Sequence, residues 1–295
     1  MQKVIDSHFH IWRRQDQPWL VGPMVPRIFG PYEPIRRDYP IGEFLADQKD
    51  SGVEKAVYVQ TNWARDRFED EVAWLQKTAE ETGWPHAIVG FADMTVDDVR
   101  PQLDRMKHYP LLRGVRMQLH WHETPEYRFA ASADQVVDPK VMENIDRLKD
   151  YGLTFDLQLF PGQMRDGARL VDEHPETNFI LTHAGMLVDL STENTEAWQA
   201  GLRQFAGKPN FFAKLSGLGT FGHKNDPTLI GYVVDNAIGI LGSEHLMFGS
   251  NFPIEKLWTS HSPLIMAHRD AVARHGLEAS ANVFWNTAQR VYRPA

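Results

Sequence analysis

Residues 178–185 read NFILTHAG, a short β-branched apolar run that stops abruptly at a histidine and a glycine. A strand buried on both faces is written as such a continuous run, whereas a strand with one wet face alternates. Working outward, the same pattern recurs. Strands are expected at Lys3–His10, Lys55–Thr61, Ala87–Ala92 and Arg113–Leu119. Four more are expected at Leu153–Leu159, Asn178–His183, Asn210–Ser216 and His245–Ser250. Between them lie stretches of helical period. Phe68–Thr82 puts Val72, Leu75 and Ala79 on one face, and Val137–Tyr151 does so with Val141, Ile145 and Leu148 behind an Asp138-Pro139 start. Thr228–Leu241 and Pro263–His275 read as helices too, with a weaker pattern around Thr195–Phe205. Eight strands alternating with helices imply one α/β domain over residues 1–295, a (β/α)8 barrel with its chemistry at the strands' carboxyl ends. A doubly wound sheet competes, but no GxGxxG or GxxxxGK[ST] follows any strand. The Pro-rich stretch Pro18–Pro40 reads as a long loop after the first strand, placed to cover the barrel mouth as lid or substrate wall. The segment from Ser280 reads as a terminal helix closing the barrel's outside.

The chain has 295 residues, with 31 Lys+Arg against 39 Asp+Glu and a net charge of −8. That balance argues against a nucleic-acid or anionic-membrane partner and for a small-molecule substrate. The absence of cysteine excludes disulfides, thiolate nucleophiles and cysteine-ligated zinc, so any metal must be held by histidine or oxygen ligands. No apolar run approaches the ~18 residues of a membrane span, and MQKVIDSHFHIWRR lacks the pattern of a secretion signal. A cytoplasmic protein is therefore expected, with a homo-oligomer left open.

The polar residues gather at strand ends. Asp6, His8 and His10 alternate in DSHFH, so they share one face of the first strand. Two imidazoles there form either a two-point metal site or a pair of hydrogen-bonded core histidines. His183, at the end of the sixth strand, can reach the same axial cavity and complete an open three-histidine site of the kind catalytic zinc uses. Asn251 follows the eighth strand in LMFGSNFPIEKLW. It is either a turn former or a polar contact, and it cannot take a catalytic proton near neutral pH. Arg113 and Arg116 flank the fourth strand as candidate carboxylate binders, with surface ion pairs as the plainer reading. His120 and His122 are expected as a polar substrate wall, and Gln158 on the fifth strand as a further contact. Lys214, on the seventh strand, is either a substrate binder or half of a buried ion pair. Trp63 and His223 are placed at the mouth or on exposed loops.

Five segments then appear in order: VIDSHFHIW, LRGVRMQL, LTHAG, AKLSGL and FGSNFPIEKL. Together they resemble the amidohydrolase superfamily, in its Amidohydrolase-2 branch of TIM-barrel hydrolases and lactonases, over nearly the whole chain. The resemblance implies a TIM barrel with hydrolytic chemistry, paired first-strand metal ligands at His8 and His10, a third at His183, and a substrate-anion arginine at Arg116. The cofactor it implies is a divalent metal, zinc. Where the superfamily pattern carries an eighth-strand aspartate that helps hold metal and takes a proton from water, this chain has Asn251. The expected function is opening of a small lactone, derived from a sugar acid or from aromatic degradation, with an anionic or hydroxyl-rich substrate. The alternatives are a metal-dependent decarboxylase of the same branch and a non-catalytic ligand-binding barrel.

Overall fold

Eight short strands pair in chain order, each parallel to the next, in the computed structural model, which describes residues 2–295. They are β1 (Val4–Phe9), β2 (Val53–Val59), β3 (Ala87–Gly90), β4 (Leu112–Val115), β5 (Thr154–Leu157), β6 (Phe179–Leu181), β7 (Phe211–Leu215) and β8 (Leu246–Phe248). A helix follows each strand: α1 (Ile41–Asp47), α2 (Phe68–Thr82), α3 (Arg100–Met106), α4 (Pro139–Asp146), α5 (Met164–Glu173), α6 (Thr192–Arg203), α7 (Pro227–Leu241) and α8 (His261–Ala273). The chain just past β8 closes the ring onto β1. Asn251 N–H donates to the His8 carbonyl at 2.7 Å, and His10 N–H to the Phe252 carbonyl at 2.8 Å.

The expected (β/α)8 architecture is thus present, and local chemistry explains its boundaries. Asp138 caps α4, accepting from Lys140 N–H at 2.9 Å ahead of Pro139. The expected Val137–Tyr151 helix divides there, with α4 running to Asp146 and a tighter 3-10 turn continuing to Tyr151. α1 and α3 have seven residues each, too few for two full helical periods to register in the sequence.

Inward-facing Ile5, Val57, Val59, Ala87, Val89, Ile180, Phe212 and Met247 fill the lower barrel. Each of these side chains other than Ala87 contributes about 1.5–3 kcal/mol by leaving water. The terminal helix, α9 (Thr287–Tyr292), departs from expectation. The lead-in from Ser280 does cover the outside, with Val283 and Phe284 buried in the outer core, but α9 itself does not. Ala288, Val291 and Tyr292 join the interior cluster, so it plugs the barrel's floor. The reason is its apolar face, which finds an unfilled barrel end rather than a helix groove.

The stretch 18–40 is an anchored wall. Trp12 and Tyr39 exchange backbone hydrogen bonds of 3.0 and 2.9 Å at its base, and Arg36 ties to the Gly22 carbonyl at 2.7 Å. Leu20, Tyr32 and Ile35 are buried beneath it. No helix among the described residues is long and apolar enough to cross a membrane.

Candidate active site

Strand alternation alone would not aim His8 and His10 at the axis. Ile5 faces the interior, yet Phe9 faces outward and stacks on Phe44 of α1 at 4.2 Å. The pairing of β1 with β2 shifts register between Asp6 and Phe9, and this irregularity restores the inward direction for the two histidines. Asp6 fixes the distortion by accepting from the backbone N–H groups of His8 (3.1 Å) and Ser250 (2.8 Å).

His183 arrives on a left-handed turn (φ 55°) directly after β6. Its Nδ1 hydrogen-bonds Ser216 Oγ at 3.0 Å. The turn after β7 must be bare to admit it, since a Cβ at Gly217 (φ +63°) would lie 2.4 Å from that nitrogen. The three rings converge, with centres 5.0 Å apart for His8–His10 and 4.8 Å for His8–His183. All three are held neutral near pH 7. Burial is the main cause for each. The charge of Lys214 adds most for His8, and that of Arg116 for His10 and His183, with His10 brought down to about 3.

Their hydrogen bonding is incomplete. Neither ring nitrogen of fully buried His8 has a partner. His10 Nδ1 donates to the Val59 carbonyl at 2.7 Å, which leaves the Nε2 lone pair facing Asn251 Oδ1 at 3.3 Å. Two acceptors face each other there unless the amide turns or a cation lies between them. The donor set therefore fits a divalent cation in kind: three neutral imidazoles and an amide oxygen. The donors are not drawn into ligand contact: among the described residues no three His, Asp or Glu side chains lie together closely enough to hold a metal ion.

A cavity of about 370 Å³ opens above these residues, and His10, Arg116, His120, Gln158, His183 and Asn251 all line it. Arg116 is buried without a carboxylate partner. One terminal nitrogen donates to the Gln60 carbonyl at 2.6 Å and its Nε is unpaired. Burial lowers its pKa to about 10, so it remains a cation. His120 Nδ1 and Gln158 Oε1 are likewise buried and unpaired. Burial, then Arg116, lower His120 to about 3.

Three expected contacts lie elsewhere. Arg113 points to the opposite end of the barrel, where it donates to the carbonyls of Pro110, Leu112 (3.1 Å) and Arg293 (3.4 Å). Residues 113 and 116 are an odd number apart, so both could not face inward. Lys214 does face inward but one layer too deep for the cavity. It pairs with Asp156 at 2.6 Å, both fully buried, and Tyr292 of α9 donates its hydroxyl to the same carboxylate. His122 turns away into an adjoining cavity of about 270 Å³, against Phe160. Trp63 is buried beside Trp74, and His223 packs on Trp258 under Gly30.

Sequence reasoning passed over Glu255, which follows the eighth-strand turn and is fully buried. Trp258 Nε1 donates to it at 2.7 Å, and Gly219 and Asn251 also favour its charge. Burial outweighs them and pushes the carboxyl up to about 8. A lone glutamate in a loop carries no period, so only its apolar neighbours Ile254 and Leu257 could have suggested burial.

An eight-stranded parallel barrel with imidazoles and a buried arginine around a cavity at its carboxyl end defines a barrel enzyme. The chain belongs to the amidohydrolase family, whose profile matches residues 5–293. Protein y4mH of Sinorhizobium fredii is 32% identical over 292 residues, covering 98% of both chains. An L-fucono-1,5-lactonase of Burkholderia multivorans is 27% identical over 305 residues, covering 98% of this chain and 95% of its own. A crystal structure of a Burkholderia multivorans amidohydrolase with bound zinc superposes with a TM-score of 0.81 at 25% identity, covering 100% of both chains.

Proposed function

We propose that this protein opens a small lactone by attack of water on the ring carbonyl. The observation that carries the reading is a cluster of three histidine rings, of which His10 and His183 line a cavity with His8 packed behind them; the cavity's one buried arginine, Arg116, has no carboxylate of its own. The relatives named as L-fucono-1,5-lactonases support it. In the reaction the water oxygen bonds to the carbonyl carbon and the acyl–oxygen bond of the ring breaks. The ring oxygen takes a proton, and the product is a hydroxy acid that ionises.

The residues divide this work by their chemistry. His8, His10 and His183 would hold a divalent metal such as zinc, which supplies Lewis-acid polarisation of the carbonyl when bound. Arg116 stabilises negative charge as the carbonyl oxygen gains it and then holds the new carboxylate. Asn251 cannot accept a proton, but its Oδ1 can accept a hydrogen bond from water and so orient it. His120, with Nδ1 free, is the imidazole placed to relay a proton to solvent. Gln158 and His120 hold substrate hydroxyls. A base as weak as this forfeits part of the ~10²–10⁴-fold that general-base assistance supplies. A lactone tolerates that loss better than an amide.

The test is a panel of sugar and aromatic-derived lactones and aromatic acids, read for acid release and for carbon dioxide. Acid release without carbon dioxide is expected, falling by about 10²-fold or more in Arg116→Met on neutral and charged lactones alike. Carbon dioxide release would replace the reading with a decarboxylase. Thermal shifts without turnover would replace it with a binding protein.

A further inference from the structure

The loop between β1 and α1 presents one charged side chain to the cavity that nothing in the protein neutralises. Arg27 lines the cavity wall. Its guanidinium lies 5.1 Å from the Trp19 ring centre and 5.7 Å from that of Tyr32. Both platforms are fixed: Tyr32 is buried, and the Trp19 indole N–H donates to the Thr61 carbonyl at 2.9 Å. Stacking of this kind holds the guanidinium plane without cancelling its charge.

The neighbouring arginines behave differently. Arg13 pairs with Asp16, Arg36 with Glu33 and Arg37 with Glu43. Arg27 forms no salt bridge among the described residues, and its Nε is buried with no hydrogen-bond partner. The wider cavity has the same bias. Arg27, Arg116 and Arg128 line it, and Glu126 is the one carboxylate among its described lining residues. None of the three has a carboxylate partner, but Arg128 is tied to the backbone carbonyls of His122 and Glu123 and Arg116 to that of Gln60, whereas no side-chain hydrogen bond ties Arg27. Arg116 sits among the histidines and serves the reacting carbonyl, so a second, separate cation calls for a second anionic group on the substrate.

We propose that the substrate carries a carboxylate on a substituent remote from the reacting carbonyl, and that Arg27 receives it through its planar fork. This rests on the lactone reading above and deepens it. The preferred class is a lactone of a diacid, and Arg27 is the residue that separates it from the neutral lactone of a monoacid.

The experiment compares D-glucaro-1,4-lactone with D-glucono-1,4-lactone, which differ by a carboxylate in place of a hydroxymethyl group. Wild type, Arg27→Met and Arg27→Lys are assayed at low and high salt. Wild type is expected to favour the carboxylated lactone in kcat/KM by about tenfold or more, in line with one charge-assisted contact. Arg27→Met should collapse that ratio through KM, Arg27→Lys should restore part of it, and salt should erode it in wild type. A wild-type ratio near or below one, or a ratio unchanged in Arg27→Met, overturns the proposal. Calorimetric titration with glucarate and gluconate keeps the two readings apart. If wild type opens no lactone of the panel yet binds glucarate more tightly in an Arg27-dependent way, the hydrolytic reading and the lactone class fall, and only the carboxylate-receiving role of Arg27 stands. If Arg27 confers no preference in either assay, this one falls.

Discussion

A buried imidazole with both nitrogens unsatisfied, as in His8, costs a fold about 1–3 kcal/mol per orphaned group. His261, buried outside the cavity, also has neither ring nitrogen hydrogen-bonded, so what sets His8 apart is its place against the rings of His10 and His183. His268 is half satisfied, with Nδ1 on the Leu264 carbonyl at 2.9 Å and Nε2 unpaired. Asn251 is the residue that sets how strongly the site holds a cation, because an amide oxygen brings no charge where a carboxylate would bring one. Asn251→Asp should raise the metal retained through purification, measured by elemental analysis. Asn251→Ala should keep measurable lactone opening, slowed by about 10-fold to 10²-fold, if Asn251 only orients water. An Asn251→Ala protein as inactive as His8→Ala at equal folded yield would give Asn251 a larger role.

At the scale of elements, the site depends on how closely strand ends approach. A Cβ at Gly249, just after β8, would lie 2.6 Å from the His8 Cβ and 3.1 Å from its backbone nitrogen. Gly249→Ala should therefore push His8 out of line, lowering stability by roughly 1–3 kcal/mol and activity by more than the lost folded fraction explains. Thermal melting and kcat measured on the same preparation check this. What the sequence made legible follows the same elements. Buried parallel strands announce themselves as apolar runs such as NFILT, and His8, His10 and His183 stand out because polar side chains end those runs. Depth within the barrel has no sequence signal, so Lys214 could be read as inward but not as sealed against Asp156. Loop residues have no period at all, which hid Arg27 and Glu255. The plug formed by α9 was equally hidden, since an amphipathic segment does not say which surface it will cover.

For the molecule as a whole, buried neutral histidines link stability to pH. His268, fully buried, has its pKa lowered by burial to about 4, against about 6.5 in an unfolded chain. Between these values the unfolded chain binds a proton that the folded one excludes. The contribution is therefore complete above about pH 6.5 and is lost as pH falls towards 4. That loss is on the order of 2–4 kcal/mol for this residue. His86 is shifted in the same direction, chiefly by burial. The melting temperature should drop across this window, and His268→Gln should flatten the profile. A melting temperature constant from pH 7 to 4.5 would contradict the account.

The central claim is water attack on a lactone carbonyl at the histidine cluster, and ring opening in ¹⁸O-water tests it most directly. Mass spectrometry of the product of the best lactone in the panel would follow the label for wild type, His183→Ala and buffer alone. The account predicts one ¹⁸O in the new carboxylate, formed by wild type at least about 10²-fold faster than by His183→Ala. Equal rates for wild type and buffer, or label in the released hydroxyl, would contradict it.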